Sequence, residues 1–253
     1  MRRKDHILKS LKGKNALVTG AAKRIGRAIA LQLASEGANI AVHYKTSIEE
    51  AGDLYRELGK YHVDCWLIQA DFEKPDEYEK LVDAAFDKAG NLDILINSAS
   101  IFPESTIQNI TWEDLVCNIR INAWVPFYLG RSFARRTNSG SIVNLLDTRI
   151  GGYDLKHVAY LLSKQMLESF TRSMALEFAP RVRVNGIAPG LILPLPGKED
   201  SYPEQLARTL PLNRFGDVHD IANAVMFLIS NEFITGQVIH VDGGWNLTGA
   251  KER

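Results

Sequence analysis

The sequence predicts an α/β fold, a parallel β-sheet covered by helices on both faces, in a single domain. Short apolar runs alternate with longer segments of helical periodicity, from the run at 15–19 to the run at 237–241. Each run is close to continuously hydrophobic, which is typical of strands buried on both faces. The length of 253 residues, with 45% hydrophobic and 24% charged residues, suits one large α/β domain.

Composition excludes several classes of function. The 30 Lys and Arg residues balance the 30 Asp and Glu residues, so no overall charge attracts nucleic acid or an anionic membrane. The basic segment 1–10 has no apolar core, and no later run reaches the ~18 apolar residues of a membrane span. Cys65 and Cys117 lie far apart, which predicts neither a disulfide nor a metal site. We therefore expect a cytoplasmic protein without a metal that acts on a small molecule.

The first βαβ unit offers a site for a dinucleotide. A strand at 15–19 leads into a turn of small residues at 20–26, a helix at 27–36 and a second strand at 39–44. Such a turn places backbone amides and the positive end of a helix dipole where a pyrophosphate binds. The expected cofactor-binding residues here are Gly20, Arg24, Ile25 and Gly26.

The end of the second strand predicts which dinucleotide is bound. NAD sites place a carboxylate there, but this chain has none before Glu49. Arg24, Lys45 and Ser47 instead supply cation and hydroxyl donors suited to a 2′-phosphate, which favours NADPH over NADH. The alternative is that Arg24 and Lys45 are solvated surface charges. The predicted site residues of this strand end are His43, Tyr44, Lys45 and Ser47.

The next two strands, at 65–69 and 92–97, are followed by further candidates. Asp71, with Phe72 beside it, either accepts a hydrogen bond from an adenine amino group or caps the loop that follows. The small residues Ser98, Ala99 and Ser100 permit close approach of a cofactor. A helix at 75–89 lies between these two strands, and a long helix with a kink at Pro126 is predicted at 111–136. It contains Asn122, which either holds backbone and water near the site or is exposed without a role.

A strand at 142–146 ends at Asp147, and a helix runs from about 157 to 178. On that helix Tyr160 and Lys164 stand four residues apart and share a face. A neighbouring ammonium ion lowers the pKa of a phenol, so Tyr160 is a candidate acid. Asp147 lies at the rim where open α/β sheets bind ligands. The alternatives are a snorkelling lysine on an amphipathic helix, and an Asp147 that only fixes its loop together with Thr148.

The last third of the chain predicts a strand at 181–187, stopped by the sequence Ala188-Pro189-Gly190. The segment 191–210 has prolines and little periodicity, which indicates a mobile substrate lid. A helix at 217–230 begins with Asp217 as N-cap, and a last strand at 237–241 precedes Asp242. We expect one domain over 1–253, with the lid at 191–210.

Several of these motifs, in this order, resemble the short-chain dehydrogenase/reductases. They are Thr19-Gly20 with Gly26, Asn97-Ser-Ala-Ser, Asn122, Asp147, Tyr160 with Lys164, Pro189-Gly190 and Val241-Asp242-Gly243-Gly244. The resemblance implies a doubly wound Rossmann sheet of seven parallel strands, a nicotinamide cofactor touching Pro189 and Gly190, and a homotetramer formed through two long helices and the last strand. It makes Tyr160 the proton donor, Lys164 the ligand of the nicotinamide ribose, and Asn122 the holder of a relay water.

Two departures narrow the resemblance. Arg24 stands where the family usually has Gly, and Asp147 stands where it usually has Ser. Both features are similar to those of the pteridine reductases and the bacterial dihydromonapterin or dihydrofolate reductases. That resemblance implies that Phe102 stacks on the pterin, and the alternative is that Phe102 packs in the core. A carboxylate repels the alkoxide that forms in ketone reduction, whereas it suits proton delivery to a C=N nitrogen. The alternatives are a ketone reductase such as a 3-oxoacyl-(acyl-carrier-protein) reductase, and a non-catalytic NADPH-binding sensor.

Overall fold

The computed structural model describes residues 10–194 and 204–248 and contains one sheet of seven parallel strands in the order β3-β2-β1-β4-β5-β6-β7. The strands are β1 (Asn15–Thr19), β2 (Asn39–Tyr44), β3 (Cys65–Gln69), β4 (Ile94–Asn97), β5 (Gly140–Leu145), β6 (Val182–Pro189) and β7 (Val238–Val241). This confirms the predicted fold class. The strand order reverses between β1 and β4, so a crevice opens at the carboxyl ends of these two strands.

Helices cover both faces of the sheet. They are α1 (Arg24–Ser35), α2 (Ile48–Leu58), α3 (Pro75–Ala89), α4 (Trp112–Ile119), α5 (Val125–Arg136), α6 (Val158–Phe178), α7 (Glu204–Ala207) and α8 (Val218–Ser230). Strand β1 shows how two cores arise: Ala16 and Val18 pack with residues of α1, α2 and α8, while Leu17 packs with residues of α3, α5 and α6. Successive side chains of a strand point to opposite faces, so each strand serves both cores.

The structure corrects the predicted helix at 111–136. A π-helical segment, Arg120–Trp124, separates α4 from α5, so the irregularity precedes Pro126. Pro126 lies in the first turn of α5, where its missing N–H costs little, and the wider π turn relieves the clash of its ring with the preceding carbonyl. The π segment contains Asn122, which is fully buried.

Other boundaries differ by a few residues. Helix α1 begins at Arg24, three residues earlier than predicted, and β6 continues to Pro189 because that residue still lies beside Val241 of β7. Within the predicted lid, 204–207 form the short helix α7, while 195–203 lie outside the described residues. Asp217 caps α8 as predicted, by accepting a hydrogen bond from the backbone of His219.

Cys65 and Cys117 are free thiols, half-buried at the margins of the two cores. Burial raises the pKa of the Cys65 thiol to about 12. Among the described helices, none is long and apolar enough to span a bilayer. No group of three His, Cys, Asp or Glu side chains within 10–194 and 204–248 is arranged to hold a metal ion.

Candidate active site

The turn between β1 and α1 is shaped by two glycines. Gly20 has φ +64°, and a Cβ at Gly26 would lie 2.3 Å from the Gly20 carbonyl oxygen, so only glycine lets the helix approach the turn this closely. The N-cap residue of α1, Lys23, makes no side-chain cap, and the first turn of α1 contains no acidic residue. Neither the cap nor the first turn therefore neutralises the positive end of this 12-residue helix.

His43, predicted to bind the cofactor, supports this turn from beneath. Its buried imidazole accepts a hydrogen bond at Nδ1 from the Gly20 amide (3.1 Å), and its Nε2 lies 3.0 Å from the Ala70 carbonyl oxygen. The ring stacks on Phe72, with centroids 4.5 Å apart. Burial lowers the pKa of His43 to about 4, so the ring is neutral and carries its proton on Nε2. Both nitrogens are engaged, so in this structure the His43 side chain positions the turn, with the Phe72 ring stacked against it.

The groups expected to bind a 2′-phosphate make other contacts in this structure. Arg24 donates a hydrogen bond to the Pro194 carbonyl oxygen (2.7 Å). Lys45 lies 3.0 Å from Asp71 and 2.5 Å from Glu73, and its hydrogen bond to Glu73 is the main cause of its raised pKa. Both cations are on the surface, so a phosphate can reach them by exchanging these contacts.

Asp71 takes the second of its two predicted roles here. Its carboxylate accepts a hydrogen bond from the Glu73 backbone (3.0 Å) and so fixes the loop after β3. Ser47, the N-cap position of α2, makes no side-chain cap. Tyr44 is buried, and Ile25 packs at the edge of the core. For these two, only the backbone or the edge of the side chain can face a ligand.

The loop after β4 is tied to β1 and to the π segment. Thr19 Oγ1 accepts hydrogen bonds from the amides of Ser98 (2.9 Å) and Ala99 (3.1 Å), and Ser100 Oγ donates to Asn122 Oδ1 (2.9 Å). The Asn122 amide also pairs with the backbone of Ile101 in both directions. Asn122 is thus buried and holds the backbone of the loop after β4. This confirms the backbone part of the first role predicted for Asn122.

The predicted catalytic groups meet at the carboxyl end of β5. The Tyr160 hydroxyl donates a hydrogen bond to Asp147 Oδ2 (3.0 Å). Lys164 Nζ donates to the Leu145 carbonyl oxygen (2.7 Å) and lies 5.7 Å from the centroid of the Tyr160 ring. Helix geometry accounts for this, because residues four apart on α6 project toward the same strand end. The structure therefore brings Asp147, Tyr160 and Lys164 together.

The titration of these groups is set chiefly by burial. Burial, with a further contribution from the Asp147 charge, raises the pKa of Tyr160 well above 10, opposite to the direction expected from a nearby ammonium ion. Burial lowers the pKa of Lys164 to about 8, although Asp147 opposes this. Tyr160 therefore holds its proton over the whole neutral range, as a proton donor must.

Phe102, the predicted stacking residue, lies beside these groups. Its ring meets the Tyr160 ring edge to face, with centroids 4.4 Å apart, and it stacks on His157 at 3.9 Å. At the neighbouring strand end, a Cβ on Gly190 would lie 2.6 Å from the Cα of Asp242. Pro189 and Gly190 therefore lie close to Asp242, the first residue after β7, and β6 ends at this edge of the sheet.

Sequence reasoning missed Arg149, Asp154 and His157. Arg149 forms an ion pair with Asp147 (3.0 Å) and another with Asp154. Burial alone lowers the pKa of Arg149, but these two carboxylates outweigh it and raise the pKa. The sequence did contain a signal for Arg149: a largely buried carboxylate such as Asp147 needs a cation as its partner, and Arg149 is only two residues away. Thr148 does not pair with Asp147, since its hydroxyl bonds to Asp242. Asp147 nevertheless fixes its own loop, as the alternative predicted, by accepting a hydrogen bond from the Arg149 amide (2.8 Å).

Comparisons with known proteins match most of the chain. Residues 20–246 match the family model described as enoyl-(acyl carrier protein) reductase. The chain is 36% identical over 239 residues to the 3-oxoacyl-(acyl-carrier-protein) reductase FabG of Staphylococcus aureus, an alignment that covers 91% of this chain and 97% of the relative.

Solved structures of other proteins also superpose on most of this chain. The FolM alternative dihydrofolate reductase 1 of Brucella canis, complexed with NADP, superposes with a TM-score of 0.89 at 32% identity, covering 94% of this chain and 96% of that one. A blue fluorescent protein from a metagenomic library, in complex with NADPH, gives 0.87 at 30% identity, covering 94% and 99%. Fold, site geometry and sequence identity over most of the chain lead to one conclusion: the protein belongs to the short-chain dehydrogenase/reductase family of oxidoreductases.

Proposed function

We propose that this protein uses NADPH to reduce a C=N bond of a dihydropterin or dihydrofolate. The observation that carries the proposal is the hydrogen bond between the Tyr160 hydroxyl and the Asp147 carboxylate, with the Phe102 ring packed against Tyr160. A carboxylate at that position can accept hydrogen bonds from the amino and ring N–H groups of a pterin. The similarity in structure to the FolM protein of Brucella canis supports the same substrate class.

The chain fits the cofactor at the turn before α1. The glycine pair there leaves no Cβ between helix and turn, and the N-cap residue Lys23 makes no side-chain cap that would compete with a pyrophosphate. Arg24, Lys45 and Ser47 would hold the 2′-phosphate, and Lys164 the ribose hydroxyls. Bound NADPH supplies the hydride.

The protein's own groups then handle the proton. Tyr160 keeps its hydroxyl protonated because burial disfavours the phenolate, and it delivers that proton to the ring nitrogen of the reduced bond. Arg149 and Tyr160 together fill the acceptor positions of the Asp147 carboxylate. When Tyr160 turns its proton from Oδ2 to the substrate, that position becomes free for a pterin N–H group. Asn122 holds the Ser100 loop beside the substrate, and the half-buried Phe102 would pack its ring against the pterin.

A second function has its own support. The 36% identity to the Staphylococcus aureus reductase FabG favours reduction of a 3-oxoacyl thioester. In that reaction the Tyr160 hydroxyl protonates a developing alkoxide, but Asp147 places a carboxylate next to it, which raises the energy of the transition state. For this reason we place the pterin first.

The test is to follow NADPH absorbance with dihydrobiopterin, dihydromonapterin, dihydrofolate and acetoacetyl coenzyme A. We expect turnover of at least one pterin, and loss of that activity in Asp147→Ser. Asp53→Ser, which removes an exposed carboxylate on α2, is the matched control and should keep full activity. Turnover of the thioester without any pterin would establish the second function, and binding of NADPH without any turnover would indicate a sensor.

A further inference from the structure

Asp147 is bound by an arginine from its own turn. Arg149 donates from Nε to Oδ1 and from Nη2 to Oδ2, both at 3.0 Å, and its backbone amide donates to Oδ1 at 2.8 Å. Two parallel hydrogen bonds from a planar guanidinium fix the plane of the carboxylate. Oδ2 is also the atom that accepts the Tyr160 hydroxyl, so Arg149 sets the direction in which Asp147 meets the phenol.

Arg149 is held in turn by Asp154. The Arg149 Nη1 group donates to Asp154 Oδ2, and that oxygen also lies 3.0 Å from His157 Nδ1. The other oxygen, Oδ1, accepts the backbone amides of Lys156 (2.8 Å) and His157 (3.0 Å). The Asp154 side chain is only 8% exposed and is therefore locked by its own turn. It offers one rigid oxygen to both Arg149 and His157.

The same cluster reaches the aromatic wall of the site. The His157 ring lies parallel to Phe102 within 18°, and the guanidinium carbon of Arg149 lies 5.3 Å from the Phe102 centroid. His157 Nε2 is buried and has no hydrogen-bond partner among the described residues, so the ring is oriented by Asp154 and Phe102. Asp154 thus orients the Asp147 carboxylate through Arg149 and the Phe102 ring through His157.

Resting on the pterin-reducing function proposed above, we infer that Arg149 is a positioning residue for that reaction. It clamps the Asp147 carboxylate against the Tyr160 hydroxyl, and Asp154 fixes the clamp. Without it, the carboxylate rotates away and both the proton path and the acceptor for the pterin N–H groups lose their geometry. Misplacing a reacting group by about 1 Å costs on the order of 100-fold in rate.

The kinetic test is a double-mutant cycle on dihydropterin reduction with Arg149→Met and Asp147→Asn. We expect Arg149→Met to lower kcat by roughly 10- to 100-fold, and Arg149→Lys to recover part of it, because one ammonium replaces the charge but not the parallel pair. In the Asp147→Asn background, Arg149→Met should change kcat by less than about 2-fold. The dissociation constant of NADPH should not change. Lys156→Met, which removes an exposed cation from the same turn, is the matched control.

An equal loss of kcat in both backgrounds would overturn the inference, because Arg149 would then act independently of Asp147. A second readout needs no turnover: the Arg149 Nε–H resonance should persist in the proton–nitrogen spectrum at neutral pH and vanish in Asp147→Asn. Its absence from the wild-type spectrum also contradicts the clamp. If wild type reduces no pterin but this resonance depends on Asp147, the proposed function fails and the clamp stands.

Discussion

His43 gives the protein a defined sensitivity to acid. The pKa of its buried imidazole falls from 6.5 to about 4, and its main cause is burial. The unfolded chain therefore binds a proton as the pH falls below about 6.5, whereas the folded protein does not until about pH 4. Stability contributed by neutral His43 is complete above the higher value and is lost as the pH falls through the lower one.

The magnitude follows from the two pKa values. Their difference corresponds to roughly 3 kcal/mol once the pH is below both, and to about 2 kcal/mol between neutral pH and pH 5. Near pH 4, protonation of His43 in the folded protein also removes the acceptor for the Gly20 amide, so the turn between β1 and α1 loses a hydrogen bond there.

Urea unfolding followed by circular dichroism at about pH 7.5 and pH 5 measures this effect. In His43→Gln, whose amide can serve the same two partners but does not titrate, the loss of stability between these pH values should be smaller by about 2 kcal/mol than in wild type. His219→Gln, which removes an exposed imidazole, should leave the wild-type loss unchanged. Identical pH dependence in wild type and His43→Gln would refute the reasoning.

Three further predictions concern single substitutions. Gly26→Ala should abolish NADPH binding in a fluorescence titration, because its Cβ would lie 2.3 Å from a backbone oxygen. The control is Gly52→Ala, whose Cβ meets nothing closer than 3.9 Å; it should keep NADPH binding and raise the free energy of unfolding by about 0.5–1 kcal/mol. Asn122→Ala should lower the free energy of unfolding by about 1–3 kcal/mol, since it leaves buried partners unpaired; a loss confined to activity would contradict the structural part of its role. Burial lowers the pKa of Lys164 to about 8, so the buried charge of Lys164 destabilises the fold below that pH. Between pH 7 and about pH 9.5, the free energy of unfolding of wild type should therefore rise by about 2 kcal/mol relative to that of Lys164→Met. Parallel stability curves for that pair, measured by urea unfolding, would disprove it.

Local pattern determined the fold and much of the site. The apolar runs and the glycine turn specify strands, helices and their order, because burial on two faces demands continuous hydrophobicity. Parallel strands bring their carboxyl ends to one edge, so Asp147 after β5 and the residues after β1 and β4 had to lie near each other. The spacing of Tyr160 and Lys164 on α6 is likewise a property of the helix alone.

Tertiary structure decided what these groups do to one another. Whether Tyr160 gains or loses proton affinity depends on how completely the phenol is buried, and burial is a sum over neighbours from distant parts of the chain. His43 could have pointed at a ligand, but packing turned it beneath the dinucleotide turn, where Gly20 and Ala70 occupy both nitrogens. The ion pairs of Arg149 depend on the path of the 148–157 loop, which carries no periodic pattern from which its conformation can be read.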